Sequence, residues 1–301
     1  MNKIKAIVKS LRLRTLPLSL AGVILGMSLA AADYRVSLAA ALLTALTTVC
    51  LQILSNLANE LGDVLHGASS ELRQGPRYGL DSGELSVRDM KRLVALFVLL
   101  CVASGTAMIK CSFGTLLSFD SVCLMMLGAA AIGAALKYTL GRNPYGYRGL
   151  GDIYVFIFFG LVSIMGGYFV TAHTFGSWML FPAAAMGFFS TGVLNVNNIR
   201  DIEADRDTRV TVAMKLGERR AKIYQTVLIA LGWACMLAYC SMRFFDPRHY
   251  LFIISLPLFV MHLISVWKNT GKGLDRSLPL LVMASFLFSV SAGAGFLLFL
   301  L

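Results

Sequence analysis

Long apolar runs alternate with short polar segments along the whole 301-residue chain. Each run is about as long as the roughly 20 residues that an α-helix needs to cross a bilayer. The predicted spans are residues 16–34, 37–59, 93–110, 117–136, 152–172, 178–197, 223–242, 250–267 and 279–300. Because helices satisfy their own backbone polar groups in lipid, the pattern predicts an all-α polytopic membrane protein with nine transmembrane helices in a bundle. We expect residues 1–301 to form a single domain.

The composition narrows the class of protein further. Hydrophobic residues make up 57% of the chain and charged residues only 14%, a balance that excludes an ordinary soluble domain. The apolar runs are long and unbroken, whereas the strands of a membrane barrel are short segments of alternating polarity, so a barrel is not expected. The basic segment from Met1 to Arg14 leads directly into the first span, and no cleavable signal is predicted there.

The positively charged residues fall almost entirely on one side of the predicted membrane. With the N-terminus placed in the cytoplasm, 23 of the 27 Lys and Arg residues lie on that same side. The other four are Arg35, Lys110, Arg243 and Arg248. Since positive residues accumulate in cytoplasmic loops, this asymmetry supports nine spans and a cytoplasmic N-terminus. The net charge of +11 then forms a basic surface suited to anionic lipids and phosphorylated substrates, with no need for nucleic acid.

Polar residues cluster at the ends of the second and sixth predicted spans. The first acidic motif is Asn56-Leu-Ala-Asn-Glu-Leu-Gly-Asp63, and the second is Asn195-Val-Asn-Asn-Ile-Arg-Asp-Ile-Glu-Ala-Asp205. On a helix, three polar side chains of each motif share one face. These are Asn56, Glu60 and Asp63 in the first motif and Asn198, Asp201 and Asp205 in the second. Both spans run toward the cytoplasm, so the two faces are expected to end at the same side of the membrane.

The side chains of the two motifs predict a metal site. Carboxylates at membrane depth are costly unless they are paired, solvated or bound to a cation. Oxygen ligands without Cys or His nearby favour Mg²⁺, which commonly bridges carboxylates to substrate phosphates. Arg200, Arg206 and Arg209 suit the remaining phosphate oxygens, so a diphosphate head with a long apolar tail fits the pattern. An ion-coupled transporter also uses intramembrane acids, but it would more naturally place them at mid-span.

The two motifs resemble those of a known enzyme family. Asn-x-x-Asn-Glu-x-x-Asp followed by Asn-Asn-x-Arg-Asp-x-x-x-Asp is similar to the motifs of the UbiA-type intramembrane aromatic prenyltransferases. The stretch Lys137-Tyr-Thr-Leu-Gly-Arg-Asn-Pro-Tyr-Gly-Tyr-Arg-Gly-Leu-Gly-Asp152 resembles the signature of one branch, the 1,4-dihydroxy-2-naphthoate polyprenyltransferases of menaquinone synthesis. The resemblance runs from the N-terminus to about Gly217, and the last three spans match the family in hydropathy alone.

The resemblance implies an Mg²⁺-dependent transferase in the bacterial cytoplasmic (inner) membrane, with its active site facing the cytoplasm. The implied reaction transfers a polyprenyl group from polyprenyl diphosphate to 1,4-dihydroxy-2-naphthoate, with loss of diphosphate and CO₂, giving demethylmenaquinone. The implied partners are the two substrates and the lipid bilayer, and no protein partner is inferred. Two alternatives stay open: another aromatic acceptor, 4-hydroxybenzoate or homogentisate, and a different class of function, the transporter.

The resemblance also assigns roles to residues that match the motifs by position. The expected metal-binding residues are Asn56, Asn59, Glu60, Asp63, Asn198, Asp201 and Asp205, of which Asp63, Asp201 and Asp205 are the expected catalytic residues. The expected diphosphate-binding residues are Arg14, Lys137, Arg200 and Arg209. The expected aromatic-acceptor residues are Tyr138, Arg142, Tyr145, Tyr147 and Asp152, with Arg142 assigned to the carboxylate of the acceptor.

Several features on the phosphate side depart from the family's usual pattern, among them Leu13 where a Pro is common and a second-motif tail, Asp207-Thr-Arg-Val-Thr211, that is one residue shorter than usual. Glu60 stands where the family usually has Asp, Ser69 stands where an Asp is common, and Arg209 stands where Lys is usual. These departures bear on the metal geometry and on the preference for a prenyl donor, and less on the class of reaction.

Overall fold

Nine long helices account for most of the residues that the structure, a computed structural model, describes: 3–67, 76–206, 208–243 and 246–298. All nine are long and apolar enough to cross a membrane, which confirms the predicted all-α class and number of spans. In chain order, α1 to α9 are Lys3–Ala31, Leu38–Leu65, Val87–Phe113, Phe119–Lys137, Gly151–Ala172, Ser177–Arg200, Glu218–Arg243, Pro247–Lys268 and Gly271–Leu298. Ser69, one of the departures noted above, lies outside the described residues.

Several helices extend further than the apolar pattern predicted. α2 continues to Leu65 although its apolar run ends near residue 59, so the first acidic motif lies within the helix. α7 begins at Glu218, before the predicted start at residue 223. Hydropathy marks the part of a helix that suits hydrocarbon, whereas backbone hydrogen bonding continues into the polar region beyond it. The first acidic motif is therefore held on rigid helical backbone at the polar end of the bundle. The second is not, because its long helix ends at Arg200 and Asp205 lies in a separate short helix, Ile202–Asp205, so the expected single helical face through Asn198, Asp201 and Asp205 is interrupted at Asp201.

α1 is divided by a bend, which we call the N-terminal bend (residues 11–15). The amphipathic segment Lys3–Ser10 precedes the bend and the apolar helix Leu16–Ala31 follows it. Arg12 at the bend has φ of 52°, a left-handed conformation that costs a non-glycine residue about 1–2 kcal/mol. Asn56 of α2 donates a hydrogen bond from Nδ2 to Leu11 O (2.9 Å), so a neighbouring helix holds the bend in place.

Of three hydrophobic cores among the described residues, two divide most of the bundle into two lobes, and the third joins the ends of α6 and α8 to the starts of α7 and α9. The larger core joins α1 to α5–α9 and contains packed aromatic rings such as those of Phe189, Phe259 and Phe288. The smaller core joins the start of α1 to α2 and α3 through side chains such as Leu54 and Leu57. α4 packs on α2 and α3 and buries little of its own surface. Because α1 belongs to both cores, it connects the two lobes.

A cavity of about 340 Å³ lies between the lobes, lined mostly by α1, α2, α4 and α5. Its wall is mainly apolar, with side chains such as Leu51, Leu127 and Phe158. The cavity follows α2 from Thr44 to Asn59, a length of about 22 Å at the helical rise of 1.5 Å per residue. Its shape and lining suit a long apolar chain whose polar end lies near the first acidic motif.

Threonines in this wall do not make it polar. The hydroxyls of Thr44, Thr47 and Thr48 donate hydrogen bonds of 2.8–2.9 Å to carbonyl oxygens one turn earlier in α2. Hydroxyls bonded in this way are satisfied by the helix itself and require no water in the cavity.

Candidate active site

The loop between α4 and α5 joins the two acidic motifs. Within this loop, residues 138–150, Thr139 Oγ1 donates to Ala58 O of α2 (2.9 Å). The same loop accepts a hydrogen bond at Tyr147 O from Val210 N, in the loop that follows the second motif (3.0 Å). The two acidic motifs are therefore joined at one end of the bundle, as expected for two faces that end at the same side of the membrane.

Gly62 of α2 makes the close approach of this loop possible. A Cβ atom at this position would lie 2.5 Å from both Cβ and O of Thr139. Real Cβ atoms do not come this close to other heavy atoms, so a side chain here would push the loop away from α2.

We therefore expect Gly62→Ala to lower both turnover and the Tm of the protein in detergent. Overpacking of this kind costs about 1–3 kcal/mol. Gly133→Ala in α4 is the matched control, since nothing lies within 4 Å of the Cβ it would add, and alanine favours a helix over glycine by about 1 kcal/mol. Thermal unfolding of the two variants measures the difference. A Tm for Gly62→Ala equal to that of the control would contradict the close contact.

One arginine connects the two motifs. Arg209 Nη2 lies 3.2 Å from Asp63 Oδ1, and Arg209 Nε lies 3.2 Å from Asp205 Oδ1. Tyr147 donates a hydrogen bond from its hydroxyl to Asp63 Oδ1 (2.8 Å), and its ring centroid lies 4.9 Å from Arg209 Cζ. Asp63 and Asp205 are only 3% and 4% exposed, so two buried carboxylates share one positive charge. Charges buried in this way interact more strongly than they would in water.

The other members of the first motif have different neighbours. Glu60 Oε1 accepts a hydrogen bond from Leu80 N (2.7 Å), while Glu60 Oε2 is buried with no hydrogen-bond partner among the described residues. Asn59 lines the large cavity and accepts a hydrogen bond from Thr139 Oγ1 (3.3 Å). Asn56 holds the N-terminal bend, as described above. Asp63 is thus the member of this motif that Arg209 links to the second motif, and the metal roles of Asn56 and Glu60 stay predictions.

Arg200, at the end of α6, holds Asp201. Its Nε and Nη2 donate to the two oxygens of Asp201 (2.9 and 2.5 Å), and its Nη1 donates to Asp275 (2.8 Å). Arg200 and Asp201 are both buried. The guanidinium that was assigned to the diphosphate is therefore used by carboxylates of the protein, because adjacent positions at a helix end allow a forked pair. The structure separates Arg200 from Arg209, which the sequence grouped together.

A second, smaller cavity lies beside Arg209, and Tyr138, Asp152 and Asn198 also line it. Tyr138 lines the large cavity as well, so its ring separates the apolar space from the polar one. Burial raises the pKa of Tyr138 to about 12, and its hydroxyl therefore stays protonated at neutral pH and can donate a hydrogen bond. Asp152 accepts a hydrogen bond from Tyr224 OH (3.1 Å) on α7, a residue that no sequence motif indicated.

The remaining predicted residues lie at different distances from this centre. Tyr145 stacks on Tyr154 with ring centroids 3.8 Å apart, and both line the large cavity. Arg142 and Lys137 are exposed and line neither cavity. Arg142 does not reach the second, smaller cavity. The structure therefore does not support its assignment to the carboxylate of the acceptor.

The oxygen donors of the site suit a hard divalent cation. Asp63 and Asp205 come from separate motifs and already converge on one positive charge, that of Arg209. Asn59 and Asn198 add amide oxygens at the edges of the two cavities. Among the described residues, no three Asp, Glu, His or Cys side chains form a metal-binding group as they stand. Two carboxylates with amides therefore fit Mg²⁺, which usually keeps several waters or substrate oxygens as ligands.

Within the described part of the chain, nine membrane-length helices with buried carboxylates at one end of an apolar cavity define a polytopic membrane protein with a polar site at one end of its bundle. The chain belongs to the UbiA prenyltransferase family, whose profile matches residues 19–299. The protein is therefore a prenyltransferase, and the transporter alternative is set aside.

Two bacterial relatives cover most of the chain. A protein of Escherichia coli (strain K12) named 1,4-dihydroxy-2-naphthoate octaprenyltransferase is 39% identical over 86% of this chain and 84% of its own length. A protein of the same name from Haemophilus influenzae is 35% identical over 99% of this chain and 97% of its own length. The resemblance to this branch, which the polar loops predicted, is confirmed, and it extends past Gly217 into the last three spans, for which the sequence analysis found a match in hydropathy alone.

Solved structures show the same fold. The apo structure of a UbiA homolog from Aeropyrum pernix K1 matches with a TM-score of 0.69 and 19% identity, covering all of both chains. A UbiA homolog from Archaeoglobus fulgidus, bound to GPP and Mg²⁺, matches with a TM-score of 0.70 and 17% identity over 97% of this chain and 99% of its own. At such identities the likeness concerns the arrangement of helices.

Proposed function

We propose that the protein transfers a polyprenyl group from polyprenyl diphosphate to 1,4-dihydroxy-2-naphthoate, in the menaquinone pathway. The observation that carries this proposal is the indirect link from the branch signature to both acidic motifs: Tyr147 of the signature donates to Asp63, and Arg209 pairs with both Asp63 and Asp205. The names of the Escherichia coli and Haemophilus influenzae relatives support the same acceptor. Their name also specifies an octaprenyl donor, which a site continuous with a long apolar cavity can accommodate in part.

The diphosphate head is proposed to bind where the motifs meet. Asp63, Asp205 and Asn198 would hold Mg²⁺, with Asn59 and Asp201 beside them, and the solved Archaeoglobus fulgidus protein is described as bound to GPP and Mg²⁺. When bound, Mg²⁺ supplies positive charge for the departing diphosphate. Arg209 donates hydrogen bonds to phosphate oxygens once it exchanges its carboxylate partners for the substrate.

The prenyl chain is proposed to lie in the large cavity with its allylic carbon near the aromatic end. Tyr138, Tyr145 and Tyr154 line the cavity there. Aromatic faces stabilise positive charge by their quadrupole, so these rings favour the carbon that becomes cationic as the C–O bond breaks. The apolar wall excludes water, which would otherwise capture that carbon as an alcohol.

Bond changes in the proposed reaction balance without a separate base. The allylic C–O bond breaks, and its electron pair leaves with the diphosphate. The ring carbon that bears the carboxylate then forms the new C–C bond to the allylic carbon. The bond from that ring carbon to the carboxylate breaks, CO₂ leaves, and its electron pair restores aromaticity. The immediate product is the quinol, and its oxidation gives demethylmenaquinone.

The acceptor is proposed to bind beside Tyr138, where the two cavities adjoin. The protonated Tyr138 hydroxyl is a hydrogen-bond donor, and Asn198 and Arg209 add donors on the same small cavity. A planar aromatic acid placed there would reach the allylic end of the cavity with its ring. The asymmetry of Lys and Arg supports placing this end of the bundle at the cytoplasmic face of the bacterial inner membrane.

An assay with purified protein in detergent tests the proposal. We expect prenylated naphthalenediol from octaprenyl diphosphate, 1,4-dihydroxy-2-naphthoate and Mg²⁺, with no product after EDTA and recovery when Mg²⁺ is restored. Product with 4-hydroxybenzoate or homogentisate in place of the naphthoate would overturn the acceptor but keep the transferase. Undiminished turnover in EDTA would overturn the role given to Mg²⁺.

A further inference from the structure

We propose that Tyr78 is a positioning residue for the diphosphate site, because it orients Arg14 at the polar end of the large cavity. Tyr78 lies in the connection between α2 and α3, and no sequence motif includes it. The proposal rests on the proposed function, since it assumes that a diphosphate binds beside the first acidic motif. We call the segment Tyr78–Leu80 the clasp.

Tyr78 contacts two arginines of the N-terminal bend. Its hydroxyl accepts a hydrogen bond of 2.7 Å from Arg14 Nη2, and the guanidinium carbon of Arg12 lies 3.9 Å from its ring centroid. Tyr78 is 9% exposed, whereas Arg14 is exposed. Arg14 therefore has one N–H group directed by a buried tyrosine, and the rest of its guanidinium is accessible to a ligand.

The clasp is itself fixed by hydrogen bonds to two helices. Gly79 N donates to Ser10 Oγ (3.1 Å) of α1, and Leu80 N donates to Glu60 Oε1 (2.7 Å) of α2. A Cβ atom at Gly79 would lie 2.9 Å from both Ala6 O and Ser10 Oγ, so only glycine allows the clasp to lie this close to α1. The backbone on the C-terminal side of Tyr78 is thus anchored at consecutive residues.

Glu60 fixes the clasp through the hydrogen bond that it accepts from Leu80 N. A glutamate is one methylene longer than the aspartate that the family usually has at this position, and its Oε1 reaches a backbone N–H of the clasp. In this chain the first acidic motif therefore does two things. Asp63 meets Arg209, and Glu60 holds the segment that carries Tyr78.

The opposite side of the N-terminal bend is held by the first motif as well. Asn56 Nδ2 donates to Leu11 O (2.9 Å) and to Thr15 Oγ1 (3.0 Å), and Asn56 lines the large cavity. Arg14 precedes Thr15 in the chain and lines neither cavity itself, but this link through Thr15 and Asn56 ties its backbone to the cavity wall at the first acidic motif. A guanidinium that is already held in place loses less conformational entropy when a diphosphate binds.

Tyr78→Phe tests this inference because it keeps the ring on Arg12 and removes the acceptor of the Arg14 hydrogen bond. We expect the KM for polyprenyl diphosphate to rise about tenfold, in line with the loss of one charge-assisted hydrogen bond. The KM for the acceptor, kcat and the Tm should stay close to those of the wild type. Tyr34→Phe, at the opposite end of the bundle, is the matched control and should change none of these values.

A binding measurement without any acceptor provides the second readout. Inorganic diphosphate with Mg²⁺ is titrated into the detergent-solubilised protein by calorimetry, and Tyr78→Phe should weaken binding by the same factor. In an Arg14→Gln background, Tyr78→Phe should have no further effect, since the two residues act through one hydrogen bond.

Three outcomes would overturn the positioning role. One is unchanged diphosphate affinity in Tyr78→Phe while Arg14→Gln weakens it. Another is an equal rise in the KM of both substrates together with a lower Tm, which would mark a merely structural residue. The third is additive effects in the double variant. Failure of the wild type to bind diphosphate at all would instead overturn the proposed function, and this inference with it.

Discussion

Asp63→Ala and Asp205→Ala are each expected to lower turnover by about 10³-fold or more while the protein stays folded in detergent. Each of these buried carboxylates lies on the shared guanidinium of Arg209, at the place proposed for Mg²⁺ and the diphosphate. Loss of charge stabilisation at a reacting group typically costs 10²–10³-fold per contact, and a metal ligand acts on both substrate binding and departure.

The fold should survive because the remaining carboxylate still pairs with Arg209. Arg209 keeps one carboxylate partner in each variant, so its buried charge stays paired. Asp120→Ala at the start of α4 is the control, since it removes an acid from the opposite end of the bundle. Product formation is measured alongside thermal unfolding for all three variants. Retained turnover in both Asp63→Ala and Asp205→Ala would refute the metal-site assignment.

Arg209→Gln is expected to lower kcat/KM for polyprenyl diphosphate and to raise the affinity for Mg²⁺ alone. Its guanidinium is proposed to bind phosphate oxygens, so kcat/KM for polyprenyl diphosphate should fall about 10²-fold, as expected for loss of a buried charged partner. In the wild type the same guanidinium pairs with both Asp63 and Asp205. Its removal takes a positive charge away from two buried carboxylates, which then attract a cation more strongly. Mg²⁺ alone, in the absence of diphosphate, should therefore bind more tightly to the variant than to the wild type.

Calorimetric titration with Mg²⁺ alone, and then with Mg²⁺ and inorganic diphosphate, separates the two effects. Arg206→Gln is the matched control because Arg206 is exposed in the same loop and lines neither cavity. Weaker binding of Mg²⁺ alone to Arg209→Gln would contradict the view that Arg209 and the metal compete for the same carboxylates. It would indicate that Arg209 holds the two motifs together for the metal.

Two arginines, one within the second motif and one in the loop that follows it, show the limit of prediction from the sequence. Arg200 and Arg209 both flank the acids, and both were assigned to the diphosphate. In the structure, Arg200 pairs with its neighbour Asp201 and with Asp275 of α9, whereas Arg209 reaches Asp63, 146 residues away in the chain. Spacing along one helix contains no information about a partner on another helix, so the two roles could not be separated.

The first motif carries the same lesson. Helical periodicity correctly placed Asn56, Glu60 and Asp63 along one helix, yet the three side chains have three different partners. Tyr78 and Tyr224 carried no signal, since neither lies in a repeated pattern or a dense polar cluster. Their importance comes from the segments against which they pack.

The sequence by itself determined the all-α class and the nine spans, because the hydrophobic effect acts on each segment locally and sets the length of each apolar run. The family followed from the resemblance of the polar motifs. It also determined which loops carry chemistry, since buried polar groups at helix ends require partners. Only the tertiary structure decided that Asp63 and Asp205 share the guanidinium of Arg209, that Tyr138 lines two cavities, and that Glu60 holds the clasp. Those facts depend on contacts between distant segments, and such contacts are set by how whole helices pack.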